Sequence, residues 1–87
     1  MEDTLTFRDK VGKKITNDEK YLEFIIKVLK INPKTYDDIY YFNAGVAGAI
    51  MFISGDEYFY ITLGCGRPII GRITGTINRS PNGYSFP

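Results

Sequence analysis

Residues 39–55 run for 17 positions without a charged side chain. Within that run, residues 46–53 are apolar at odd and even positions alike: Ala47, Ala49, Met51 and Ile53 alternate with Val46, Gly48, Ile50 and Phe52. Such a stretch is a membrane span, a buried helix, or a strand covered on both faces. It falls short of the ~20 apolar residues that cross a bilayer, and Asn43, three glycines and Ser54 interrupt it, so no membrane association is expected. A helix over residues 44–50 competes with the preferred reading of buried strands, in which Gly45 and Gly48 allow a bulge or a close backbone approach. The rest of the chain must then help to cover two faces of a sheet.

The flanks supply one helix and several more strands. Thr16 followed by Glu19 has the spacing of a capping box, Asp18 adds negative charge to the first turn, and Pro33 ends the run. These signals predict a helix over 17–31. Its stripe is Leu22, Ile25, Ile26 and Leu29, flanked by Tyr21, Phe24 and Val28, with Glu23 and Lys27 paired on the wet side. Its apolar arc of roughly 200° is wider than one sheet requires. Beyond Pro33 the period becomes two. Residues 39–42, 46–53, 58–63, 69–77 and 84–86 read as strands separated by glycine-, asparagine- and proline-rich turns short enough for hairpins. Leu5 and Phe7 suggest a further short strand, followed by a basic loop over 10–14.

The expectation is one α+β domain over 1–87: a short strand and basic loop (1–16), a helix (17–31) and a β-meander (36–87). The architecture is an N-terminal amphipathic helix on a four- to six-stranded antiparallel sheet or a small, partly closed barrel. One helix covers only one sheet face. Either the sheet curls, or a partner covers the second face, and a homodimer is the commonest such partner.

Composition narrows the chemistry. With no histidine and a single cysteine, Cys65, the chain lacks the parts for a Ser-His-Asp or Cys-His site, an imidazole-bound zinc or an internal disulfide. No metal, no cofactor and no enzymatic activity are expected. The absence of a disulfide and of an apolar leader after Met1 favours the cytoplasm of a bacterium or a phage-infected host. The formal charge is +1, which gives no footprint for duplex nucleic acid. That total hides a division: residues 1–38 carry eight basic and eight acidic groups, whereas residues 39–87 carry Asp56 and Glu57 against Arg67, Arg72 and Arg79.

Those arginines are the leading binding candidates. With Tyr58, Tyr60 and Tyr84 they suit phosphates, bases or protein hot spots, because guanidinium makes forked hydrogen bonds and both guanidinium and aromatic rings stack. Gly64-Cys65-Gly66-Arg67-Pro68 is a turn whose Gly64 and Gly66 could aim backbone N–H groups at an anion, although it matches neither the dinucleotide nor the P-loop pattern. Phe24, Tyr40, Tyr41 and Met51 are candidates for a dimer or partner surface. Asp37-Asp38 and Asp56-Glu57 read as turn and edge solubility, since adjacent strand residues point to opposite faces.

The functional expectation is a small non-enzymatic binding module acting by protein–protein occlusion, as an inhibitor or immunity-like protein. Ile, Lys, Asn and Tyr make up 31 of 87 residues, the composition of an AT-rich genome, which suits a phage-encoded counter-defence protein of the anti-CRISPR type. The alternative is a protein that sequesters a small nucleotide or other anion through the Arg/Tyr patch.

Overall fold

The computed structural model describes residues 4–15, 19–44, 47–64, 67–81 and 83–86. In order, the elements are β1 (Thr4–Phe7), β2 (Lys10–Lys14), α1 (Glu19–Lys27), a 3₁₀ turn (Pro33–Thr35), β3 (Asp38–Ala44), β4 (Ala47–Ser54), β5 (Glu57–Gly64), β6 (Arg67–Thr76), β7 (Asn78–Ser80) and β8 (Gly83–Ser85). Strands β1 to β6 form one antiparallel sheet in chain order, and β7 and β8 pair with each other. The fold is therefore α+β with one helix and a six-stranded antiparallel sheet. Among the described residues, no helix is long and apolar enough to cross a membrane.

Two expectations need correction. The helix is not the N-terminal element, because a complete hairpin precedes it: residues 10–14 are strand β2 rather than a loop. The turn joining β1 to β2 is Arg8-Asp9, both at positive φ (51° and 65°), as a type I′ hairpin turn requires. That conformation is normally marked by Asn or Gly, so this turn leaves no trace in the sequence. Residues 47–50, for which a helix was the competing reading, belong to β4.

Helix α1, described from Glu19, ends at Lys27, earlier than the expected Ile31. The Thr16 and Asp18 start signals lie outside the described residues. At its other end, Ile31 N–H reaches back to Ile25 C=O (3.2 Å) while Lys30 sits at φ 60°, so a residue in the left-handed conformation turns the chain back on the helix. The helix thus stops a turn before Pro33, and the chain reversal takes Ile31 back onto the apolar cluster that holds Ile25. Ile25 and Leu29 are buried, but Ile26 is 52% exposed, so it leaves the expected stripe. A free helix of this length is marginal in water; docking on the sheet is what holds it.

Strand β4 is the centre of the molecule: Ala49, Ile50, Met51, Phe52 and Ile53 are all fully buried. Ile50 and Phe52 join Ile39 and Ile61 beneath Ile25 and Leu29 of the helix. Met51 and Ile53 face the other way, with Leu5, Phe7, Tyr40, Phe42 and Tyr60. Each large side chain so buried contributes ~1.5–3 kcal/mol.

No second chain is needed to cover that other face. The sheet curls until Phe7 of β1 lies 4.8 Å, ring to ring, from Tyr60 of β5. In a flat sheet those strands would be about 19 Å apart. Phe86, just past β8, completes the lid at 4.6 Å from Phe7 and 5.3 Å from Tyr58. The sheet nevertheless stays open, since β1 and β6 do not pair. The exposed sheet face from which a dimer was expected is filled by the chain's own first strand and C-terminal segment.

Two adjacent carboxylates fasten that segment. Asp37 accepts hydrogen bonds from Gly55 N–H (3.0 Å) and Arg79 Nη2 (2.7 Å), while Arg79 Nε donates to Gly55 C=O (2.6 Å). Asp38 is buried, pairs with Lys14 Nζ at 3.0 Å and accepts a hydrogen bond from the Tyr84 hydroxyl. These residues hold β7 and β8 against the sheet, a structural role rather than the surface solubility read from the sequence.

Candidate functional site

Strand β6 forms one side of the sheet and, among the described residues, is bonded to β5 alone. Its register places Arg72 opposite Ile61 and Thr74 opposite Phe59, on the helix face. Ile73 lies opposite Tyr60 and Gly75 opposite Tyr58, on the concave face. This register decides which of the expected site residues meet.

Arg72 is exposed, with its guanidinium 5.6 Å from the centre of the Phe59 ring. Arg67, at the start of β6, lines a shallow groove of about 280 Å³ with Phe24, Val28, Leu63, Gly64 and Pro68. A second opening of about 540 Å³ shares Phe24 and Leu63 and adds Tyr21, Tyr41 and Ile50. Joined at Phe24 and Leu63, the two make one largely apolar channel beside α1, with Lys20 and Arg67 as its charged lining. Tyr21 and Tyr41 form part of its floor, their rings 4.6 Å apart. Ile70, 62% exposed, folds over Gly64 so closely that a Cβ there would overlap its Cδ1.

The expected Arg/Tyr patch does not form. Tyr58 and Tyr60 pack on the concave face against Phe7, and burial raises the Tyr60 phenol above its ordinary pKa against the opposing charge of Arg8. Arg79 is spent on Asp37 and Gly55, and its guanidinium lies 5.2 Å from the centre of the Tyr84 ring. Of the arginines, Arg67 and Arg72 remain near the β6 surface, and neither makes an ion pair among the described residues. Cys65 and Gly66 lie outside the described residues, and so does the proposed N–H cradle.

The partner-surface candidates divide in two. Phe24 and Tyr41 are half-buried in the channel. Tyr40 (1% exposed) and Met51 (fully buried) lie in the core and cannot touch a partner in this fold, because both belong to the concave side that the curl closes. Sequence reasoning missed Val28 and Leu63 as surface residues. Val28, the residue after the last turn of α1, is 44% exposed and lines the groove with Arg67, and no local pattern signals that.

A further opening, of about 560 Å³, lies where β8 passes β1 without pairing; Arg8 and Asp9 of the hairpin turn are charged groups on its rim. Among the described residues, no three His, Cys, Asp or Glu side chains gather as a metal site would require. The chain matches no family model, no curated protein and no solved structure.

Proposed function

We propose that the protein is a non-catalytic binding module that works by covering part of another protein with the β6 edge and the adjoining α1 flank. What carries this reading is the conjunction of an open strand edge, the exposed apolar side chains Ile70 and Val28, and two arginines with no carboxylate partner among the described residues. Apolar contacts ringed by arginine are the usual composition of a protein-binding hot spot. Inhibitor, immunity and phage counter-defence roles are variants of this function that differ only in which cytoplasmic protein is covered. The anion-sequestering alternative loses the tyrosines on which it relied.

Site-specific photo-crosslinking in the native cell tests the surface. A crosslinking residue at position 70 is expected to trap one protein in a defined adduct. The same residue at Lys34, which lines the groove on the other flank of α1, is expected to trap none. Equal adducts at both positions, or none at 70, would overturn the assignment.

A further inference from the structure

We infer that β6 is a strand-addition site whose occupant is an extended segment of another protein in which acidic and apolar residues alternate. This rests on the binding-module reading and specifies its mode.

The backbone comes first. β6 has ten residues, ~33 Å of extended chain, in a molecule whose longest dimension is 37 Å. An edge strand turns every second N–H and C=O outward, a row of unmade hydrogen bonds that another strand can complete. The opposite edge is not equivalent, since β8 lies alongside β1. Edges are commonly blunted by proline, bulges or lysine. In β6 those devices stop early: Pro68 and the irregularity opposite Leu63 spoil its first third. From Gly71 to Thr76 the register with β5 is unbroken, and the segment contains neither proline nor lysine.

The side chains then set the pattern of the occupant. On the helix face, Arg72, Thr74 and Thr76 are exposed and polar; on the concave face stand Gly71, Ile73 and Gly75. Tyr58 roofs Gly75, its ring atoms 2.7 Å from where a Cβ would be, but the space above Gly71 is empty to 4 Å. A strand laid beside β6 sends alternate side chains to these two faces. An apolar residue on the concave side fills the gap over Gly71 and extends the packing of Ile73. A carboxylate on the helix side meets Arg72.

Charge selects the class of partner. Between Tyr58 and Asn78 the chain carries Arg67 and Arg72 and no acidic residue. A second copy pairing through the same edge would bring two more arginines to the seam with nothing to neutralise them. An acidic strand is complementary, with the ladder hydrogen bonds holding it and the arginines choosing it.

The test uses the full chain and two synthetic probes, an alternating Val/Asp peptide of roughly eight residues and its Val/Lys counterpart. The Val/Asp peptide is expected to slow amide exchange at alternate residues of the 71–76 segment and to bind at least about tenfold tighter than Val/Lys. Arg72→Glu, at an exposed position, should leave thermal unfolding unchanged while reversing that preference. Equal binding of both peptides, or unaltered exchange over 71–76, overturns the proposal. Protection of the same amides that rises with protein concentration alone, together with a doubled mass in light scattering, also overturns it by making a second copy the occupant. Crosslinks at position 70 without strand protection would leave the binding module standing and remove strand addition; loss of both would remove both.

Discussion

Among the described residues, three of ordinary type hold the left-handed backbone conformation that glycine adopts at no steric cost: Arg8, Asp9 and Lys30. Asp9 closes the first hairpin and Lys30 caps α1, so each position carries strain in return for a fixed chain reversal. Asp9→Gly and Lys30→Gly are each expected to raise stability by up to ~1 kcal/mol, seen as a higher urea midpoint at unchanged slope; a lower midpoint would contradict the turn and cap assignments. Tyr84 carries the clearest pH signature. Its phenol is pushed up to about 12 by burial and by donating to Asp38. Between pH 10 and 12 the folded chain keeps a proton that the unfolded chain releases, so stability is full below 10 and falls as pH rises through that window. Tyr84→Phe should flatten much of that alkaline loss, leaving the smaller share from Tyr60, and should cost ~1–2 kcal/mol at neutral pH because buried Asp38 loses a donor. Asp37 shows the opposite sign. Its carboxyl is held below the usual range, first by Gly55 N–H and then by Arg79, so its contribution is present above pH 3.8 and lost as pH falls through its lowered value. Asp37→Asn should therefore weaken the acid dependence of unfolding without touching the alkaline limb.

At the scale of elements, α1 depends on its docking more than on its own propensity. Ile25 is its one fully buried side chain, and Ile25→Ala is expected to cost ~2–5 kcal/mol in chemical denaturation. A cost below 1 kcal/mol would mean that the helix is not seated as described. The helix was legible in the sequence because its apolar residues recur at helical spacing over several turns. Its end was not, since a left-handed residue there that is lysine rather than glycine removes the usual mark. Strands β3 to β6 were legible as runs of strand-forming residues between turns that contain glycine, apolar on both faces in β4 and alternating in β6. The β1–β2 hairpin was half hidden by Arg8-Asp9. Gly75 gives a second test at this scale, as Gly75→Ala must displace the Tyr58 ring wedged against Phe7 and Phe86, whereas Gly71→Ala enters open space. The first is expected to lower the thermal midpoint and the second to leave it within a degree or two.

For the whole molecule, the decisive feature is that an 87-residue chain covers both faces of its central strand unaided. The C-terminal hairpin and Phe86 complete that cover, so a chain ending after Ser80 is expected to expose the Phe7, Tyr58 and Tyr60 surface. It should bind a hydrophobic dye and gain mass in light scattering, as a protein with an apolar face left open does; a truncated chain that stays monomeric and dye-silent would show the lid to be dispensable. The sequence by itself determined the elements that rest on local periodicity: one amphipathic helix, a run of antiparallel strands, a charge-poor second half, and a strand at 46–53 needing cover on both sides. It also determined Arg67 and Arg72 as the cationic groups of β6. Only the tertiary structure decided what covers the second face, and therefore which aromatic residues are surface and which are core. Tyr40 and Met51 went inside and Tyr58 turned away from Arg72, because sheet curl and strand register arise from contacts between residues far apart in the chain. No window of sequence contains both Phe7 and Tyr60, yet the distance between them closes the concave face and leaves β6 as the open edge.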